Sequence, residues 1–326
     1  MDIHRIRYVP YNPAPINCVA FSQPVASKKG GPVRLAIGRA SGDIEIWNPL
    51  NGSWHQEIII HGGKDRATLH DGRRIPGRLR LFSFGYSNTV TEWDLEKGRP
   101  KHQSSGTHGD IWCLGVQPFV GPGKGGDKEK PKVYHTGKKL VAGTMDGSLI
   151  LYNIDGGELS YDRVFARASS KKTKMVSIAF KDRNTVVVGT SQSCILVYDM
   201  RNGTTLAKMT LGSDLASGAK EVIAWCVKCL DGGDIVSGDS TGEIRIWDGN
   251  TYTQAQRLKA HSSDVLSLAT SADGSTIVTG GMDRRTAVYR KTTGSGSRWA
   301  KVFHRRYHRH DVKTMASFEG QEHTTD

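Results

Sequence analysis

"IVSGDSTGEIRIWD", residues 235–248, opens on an apolar run, turns at Gly238 to Gly242, and ends on an alternating run that closes with Trp247 and Asp248. Ile235 and Val236 suit a strand, and Ile244 and Ile246 alternate with Glu243 and Arg245. Two β-prone runs about a Gly-containing turn predict a β-hairpin. A lone hairpin is marginal in water. This one therefore needs neighbours.

The chain supplies them by repetition. "LAIGRASGDIEIWN" ends at Asn48, "LFSFGYSNTVTEWD" at Asp94, "LVAGTMDGSLILYN" at Asn153, "VVVGTSQSCILVYD" at Asp199 and "IVTGGMDRRTAVYR" at Arg290. The closing aromatics fall at 47, 93, 152, 198, 247 and 289, at intervals of 46, 59, 46, 49 and 42. A period of forty to fifty residues with a Trp-Asp ending marks the WD repeat. Upstream runs such as "INCVAFS", "DIWCLGVQPF", "MVSIAF", "VIAWCVKCL" and "DVLSLAT" add a third strand per unit, and the linker to the next unit adds a fourth. Such a blade buries both faces only between other blades. The expectation is an all-β WD-repeat β-propeller of seven blades, forming one domain over residues 1–326.

The repeat also carries a hydrogen-bonding device: a His before the first strand, a Ser or Thr in the second, an Asp in the turn and an aromatic in the third. The sixth unit holds His261, Thr279, Asp283 and Tyr289. The third keeps His108 and Asp146 but has Ala142 and Tyr152, and the fifth keeps Ser237 and Trp247 with Thr241 in place of the Asp. A His, a hydroxyl and an Asp read as catalytic in isolation. Their recurrence at one place in each unit reads as structural, because a satisfied buried network rigidifies a blade.

Of the 326 residues 37% are apolar and Gly is abundant at 38, which suits many tight turns. No apolar window reaches membrane-spanning length, and "MDIHRIRYVPYNP" lacks signal-peptide character. Five cysteines, at 18, 113, 194, 226 and 229, predict a reducing compartment rather than a disulfide scaffold. Cys226 and Cys229 form a lone CxxC; within a strand, positions i and i+3 point to opposite faces, so core packing is the expected role. No nucleophile elbow, P-loop or paired carboxylates occur, and the expectation is a protein that is not an enzyme and needs no cofactor or metal.

The net charge of +13 is unevenly spread. Residues 290–313 hold eight Lys/Arg against one Asp, 61–80 and 121–139 each hold six against two acids, and 163–174 hold five against none. These segments carry +20 together, leaving −7 for the rest. Clustered cations point to a polyanion such as nucleic acid. Arg73, Arg74, Lys171, Lys172, Arg298, Lys301, Arg305, Arg306 and Arg309 are the candidate RNA or partner contacts, with Trp299 and Tyr307 placed to stack on bases.

"KVFHRRYHRHDVKTMASFEG", residues 301–320, is the densest basic stretch. His261, His108 and His310 each stand shortly before an acid and a β-branched residue, which makes His310 the opening of a seventh blade and "DVKTMASF" its first strand. "RWAKVFHRRY" then reads as the outer strand of blade six plus a basic connector. His304, His308 and His310 share one side of an extended chain, but no carboxylate or Cys accompanies them, so a metal site is not expected there. Two blades look incomplete. Blade seven lacks its middle strands, with "DIHRIRYVP" available as an outer clasp. Blade two lacks a first strand, because only "LHDGRRIPGR" separates "EIIIHGGKDRAT" from "RLRLFSFG". Omitted residues after Ala67 and after Phe318, and a longer parent protein, are the expectation.

"HRIRYVPYNPAPINCVAFS", "GGKDRAT", "GDIWCLGVQPF" and "VAGTMDGSLILYNI" resemble the N-terminal propeller of the cirhin family across about residues 3–316. In that family an apolar strand follows the "RAT" phrase, and a second propeller and a helical part follow the first. The resemblance implies a scaffold of the small-subunit processome in the nucleolus of the nucleus. Its partners would be other subunits of the early subcomplex on the 5′ external transcribed spacer, pre-rRNA and the U3 small nucleolar ribonucleoprotein, with no membrane. Sequence-tolerant phosphate contacts by Lys and Arg fit that role. A rival reading is an adaptor for a ubiquitin ligase or signalling complex, since "YDMRNG" (198–203) has an aromatic-Asp-x-Arg ending. Asp199 and Arg201 also suit the plainer task of tying a turn.

Overall fold

In this computed structural model the described residues are 13–22, 33–49, 54–62, 68–75, 78–120, 133–134, 138–170, 172–214, 218, 220–230, 232–271, 273–292 and 298–317. Among them the chain forms six four-stranded antiparallel sheets, each a blade. Blade one is β1 (Ile16–Phe21), β2 (Leu35–Arg39), β3 (Ile44–Asn48) and β4 (His55–Ile60). Blade two is β5 (Thr68–Ile75), β6 (Arg78–Phe84), β7 (Thr89–Asp94) and β8 (Arg99–Ser105). Blade three is β9 (Ile111–Val116), β12 (Lys139–Thr144), β13 (Ser148–Asn153) and β14 (Ser160–Arg167), with a small ribbon of β10 (Phe119–Val120) and β11 (Val133–Tyr134) between its first two strands. Blade four is β15 (Met175–Phe180), β16 (Thr185–Thr190), β17 (Cys194–Asp199) and β18 (Thr205–Thr210), followed by a ribbon of β19 (Ser213–Asp214) and β20 (Lys220–Glu221). Blade five is β21 (Cys226–Cys229), β22 (Ile235–Gly238), β23 (Glu243–Trp247) and β24 (Gln254–Lys259). Blade six is β25 (Val265–Thr270), β26 (Thr276–Gly281), β27 (Arg285–Lys291) and β28 (Trp299–Arg306).

The alternation of each hairpin decides its packing, because successive side chains point to opposite faces. In blade five, Ile235 and Trp247 face blade four, packing with Val187, Ile195 and Val197. Val236, Ile244 and Ile246 on the other face pack with Leu268, Ile277 and Tyr289 of blade six. Equivalent cores join blades one and two, two and three, and three and four. Full burial of each such Val, Ile or Leu stabilises by about 1.5–3 kcal/mol.

The innermost strands touch their neighbours in turn, and a close approach recurs there. A Cβ on Gly143 would strike Met175, on Gly238 Val265, and on Gly280 Val312. A glycine is required at each because Met175, Val265 or Val312 lies directly against the backbone. Gly203 is constrained differently. Its φ is +74°, and a Cβ there would run into the Phe165 carbonyl of blade three. Gly203→Ala should therefore cost about 1–3 kcal/mol, read as a lower midpoint in urea unfolding; an unchanged midpoint would show that the turn relaxes freely.

Two expectations about strands need correction. Blade two has its first strand: β5 pairs with β6 from Thr68↔Phe84 to Ile75↔Arg78. Its sequence, "TLHDGRRI", is polar and basic, so a search for apolar runs passes over it. The predicted first strand of blade seven is not a strand; residues 311–317 pair with no neighbour in ladder fashion. They nevertheless run between β25 and β1. Val312 N–H donates to Gly281 O at 3.1 Å, Ser267 Oγ to Val312 O at 3.0 Å, and Val19 N–H to Thr314 Oγ1 at 3.2 Å. The outer strand of blade six falls at β28, within the predicted "RWAKVFHRRY". The proposed N-terminal clasp and the omission points after Ala67 and Phe318 touch segments outside the described residues.

Candidate nucleic-acid interface

The turn between each blade's second and third strands lies beside the segment that enters an innermost strand, so these segments share one rim. Ser193 N–H donates to Val222 O, Met145 N–H to Asp110 O, and Met282 N–H to Asp264 O. On this rim blade six gathers arginines. Arg285 on β27 stands directly opposite Arg306 on β28, and Thr286 opposite Arg305. Like charges directly opposed across strands repel. Arg284 precedes them at φ +66°, a conformation costly for a side chain bearing Cβ. Arg284, Arg285, Arg305, Arg306 and Arg309 are all exposed, and among the described residues none forms an ion pair with a carboxylate. Tyr307 is 62% exposed and stacks on Phe303, with ring centroids 5.9 Å apart, while Arg305 lies 5.6 Å from the Phe303 centroid. The rim thus presents guanidinium groups that no described carboxylate pairs with, beside an exposed aromatic face.

The candidates from sequence do not form one cluster. Arg298 precedes β28 and Arg306 ends it, so at about 3.3 Å per residue they stand about 26 Å apart. Arg298 lines a groove of about 410 Å³ on the far side with Asp234, Arg257, Lys291 and Trp299. Lys301 Nζ reaches back to the carbonyls of Lys259, at 2.8 Å, and Ala260, so it bridges blades five and six. Trp299 is 4% exposed, sits in the core between those blades, and cannot stack on a base. Lys172 is exposed in the loop from blade three to blade four, on the arginine rim. Lys171 lies outside the described residues. Arg73 and Arg74 lie on β5, but their side chains fall outside the description. Arg284 and Arg285 were missed from sequence; their signal was a pair of arginines in a turn that elsewhere in the repeats carries Gly or Ser.

The polar constellation of blade six is inward. His261, 2% exposed, contacts Asp283 Oδ1 through Nδ1 at 2.9 Å and Thr279 Oγ1 through Nε2 at 2.7 Å. Burial lowers the His261 pKa against the pull of Asp283, so the ring is neutral, with Nδ1–H donating to Asp283 and Nε2 accepting from Thr279. The Tyr289 hydroxyl does not join them and has no hydrogen-bond partner among the described residues. In blade three, His108 Nε2 meets Tyr152 OH at 2.9 Å, and Asp146 accepts from Gly109 N–H instead. In blade five, Trp247 Nε1–H donates to Ser237 Oγ, and Asp239 takes the acid's place, accepting from Thr241 N–H and Oγ1–H. Asp283→Ala should cost about 1–3 kcal/mol by orphaning the His261 N–H, whereas the exposed Asp311→Ala should leave the melting temperature nearly unchanged; equal effects would deny the network a structural role.

The remaining chemistry-bearing residues are occupied in packing. The five cysteines are free thiols. Burial pushes the Cys113 and Cys226 thiols up and Cys229 to about 12, so none of these three is a ready nucleophile. Arg201 Nη2–H donates to Asp199 Oδ2 at 2.7 Å within one turn. No helix among the described residues is long and apolar enough to cross a membrane.

Residues 252–290 match the family described as "WD domain, G-beta repeat". The chain is an all-β WD-repeat propeller. It is 35% identical to U3 small nucleolar RNA-associated protein 4 of Schizosaccharomyces pombe, over 98% of this chain and 42% of that protein. The Saccharomyces cerevisiae protein of the same name is 33% identical over 98% of this chain and 40% of that protein. The Homo sapiens homolog is 27% identical over 96% of this chain and 42% of its own length. The propeller thus spans about two fifths of the length of these relatives.

Proposed function

We propose that this propeller is a non-catalytic scaffold of the nucleolar small-subunit processome, a member of the cirhin family that binds pre-rRNA through the rim of blade six. The observation that carries this reading is likeness along 98% of the chain to U3 small nucleolar RNA-associated protein 4 of two yeasts. The five exposed rim arginines, unpaired among the described residues, are what such a role needs, since phosphate contacts give affinity without sequence choice. Its partners are other subunits of the early subcomplex on the 5′ external transcribed spacer, the spacer itself and the U3 ribonucleoprotein. Arg201, spent on Asp199, offers little to the adaptor alternative.

The same reading makes the propeller the N-terminal one of a tandem and gives it seven sectors. Val312 has the surroundings of a residue that opens an innermost strand: Val265 N–H donates to Asp239 O and Cys226 Sγ–H to Val265 O, as Val312 N–H and Ser267 Oγ–H do at Gly281 and Val312. On the face of blade six beyond it, Val278, Thr286 and Val288 are half-buried, whereas Val236, Ile244 and Ile246 of blade five are buried. A seventh blade would cover them.

Crosslinking and sequencing of RNA bound to the tagged protein in cells, with mass spectrometry of co-purified proteins, tests the assignment. Enrichment of 5′ external transcribed spacer reads and processome subunits is expected. Recovery of ubiquitin-ligase subunits without that RNA would overturn it.

A further inference from the structure

The network of blade six has a second imidazole beside it. His304 on β28 lies across the ladder from Ala287 and meets the His261 ring edge-on, with centroids 5.9 Å apart. One donor atom each from His261, Asp283 and His304 lies within 4.8 Å of the others. His304 Nε2 is buried and has no hydrogen-bond partner among the described residues. A buried polar atom left unpaired costs about 1–3 kcal/mol unless something meets it, and a bound ion is one recognised partner for such an atom. Blade three shows that the arrangement is not generic. It also has the His108 and Asp146 pair of residues, yet its position opposite Ile150, equivalent to Ala287, is Val164. Only in blade six, among the described residues, do three potential ligands converge.

The geometry points to a divalent transition-metal site, of the kind zinc takes, formed by His261 Nδ1, Asp283 and His304 Nε2. The donor set is two imidazoles and a carboxylate, which suits three-ligand zinc with an open fourth position. Metal–ligand bonds of about 2.0–2.1 Å hold tetrahedral donors ~3.3 Å apart, so His261 Nδ1 and Asp283 Oδ1, now 2.9 Å apart, open slightly as their hydrogen bond is given up, and rotation of the half-buried His304 ring brings in the third donor. The proton balance closes without a co-reactant. The His261 proton passes from Nδ1 to Nε2, frees Nδ1 for the metal, and is donated to Thr279 Oγ1. Thr279 turns its own hydroxyl toward Ala287 O, 3.5 Å away. A ligating imidazole steadied through its other nitrogen is the usual outer-shell arrangement. Asp283 gives up the His261 hydrogen bond and keeps its contacts with the backbone N–H groups of Ser262 and Arg285. Lys301 and Arg285 lie close enough to repel a cation, so the site is weaker than a closed structural one. The set differs from the run of His304, His308 and His310: His308 and His310 are exposed, and the carboxylate comes from another strand's turn.

The test is calorimetric titration of the chelator-treated full chain with ZnCl2, paired with melting curves. One ion per chain and a raised melting temperature are expected. His304→Val, which copies Val164 of blade three, should weaken binding by at least about tenfold, while its melting temperature without zinc holds or rises because the orphan is gone. His304→Gln keeps a polar side chain and should lose zinc likewise. His308→Ala with His310→Ala should bind as the unaltered chain does. Absence of saturable zinc uptake, equal uptake by the His304 variants, or loss confined to the His308 and His310 variant would each overturn the site.

Discussion

Glu92→Ala should lower stability by about 3–5 kcal/mol, the cost of stranding a buried charge. Glu92 is 1% exposed and holds Arg80 through two contacts of 2.6 Å. Arg80, itself buried, extends across the blade boundary to the carbonyls of Ile154, at 2.5 Å, and Glu158, at 3.0 Å. Removing the carboxylate leaves the guanidinium inside with only carbonyls to face. Lys101→Ala removes the half-exposed partner of the same carboxylate and should cost about 0–1 kcal/mol. Replacing both Arg80 and Glu92 by apolar residues of similar size should recover most of the loss. Burial drives the Glu92 pKa up, but hydrogen bonds from Arg80 and His102 and the charges of Arg80 and Lys101 outweigh it, so the folded pKa lies below the ordinary 4.5. A depressed folded pKa gives stability that is present above the unfolded value and lost as pH falls through the folded one. The gap between wild type and Glu92→Ala should therefore be full at pH 7 and narrow below about pH 4.5. Urea unfolding at both pH values measures it; a gap under 1 kcal/mol at pH 7 would mean water enters the pair.

The blades were legible because an alternating hairpin announces both its strands and its faces. Six occurrences of the phrase marked the hairpin of second and third strands in all six blades, from "LAIGRASGDIEIWN" to "IVTGGMDRRTAVYR". β5 was not legible, since backbone pairing holds "TLHDGRRI" in the sheet and its sequence lacks an apolar alternation. The interface was half legible. Linear density of charge marked residues 290–313, but a strand carries successive residues away from one another. Eight positions of β28 separate Arg298 from Arg306, while Arg285, twenty-one residues before Arg306 in the chain, sits directly opposite it. Trp299 shows the same limit: it is aromatic and sits among cations in sequence, yet its backbone is bonded to Gln256 of blade five and its ring is core. The Arg80 and Glu92 pair was invisible for a further reason, because nothing in "RLRLFSF" distinguishes a buried arginine from a solvated one.

Reversing Arg305, Arg306 and Arg309 to Glu should weaken single-stranded RNA binding and flatten its salt dependence. Each phosphate contact contributes about −0.7 to the slope of log affinity against log salt, so losing three flattens it by about two units. The three side chains are exposed, pair with no carboxylate among the described residues, and lie at or just beyond the end of an edge strand, so the melting temperature should hold. It should even rise slightly, because Glu at 306 opposite Arg285 replaces a repulsive cross-strand pair with an attractive one. That rise separates a functional cluster from a structural one, in which charge reversal would destabilise. Arg298→Glu, at the far end of β28, is the internal comparison and should leave the slope unchanged if the rim alone grips the strand. Tyr307→Ala should weaken binding by about 1–3 kcal/mol without altering the slope, since stacking releases no counterions. Fluorescence anisotropy with a labelled single strand at several salt concentrations reads all of these. An unchanged slope in the triple variant would assign the rim arginines to a protein partner instead, and the same slope lost in Arg298→Glu would move the grip to the opposite side of the ring.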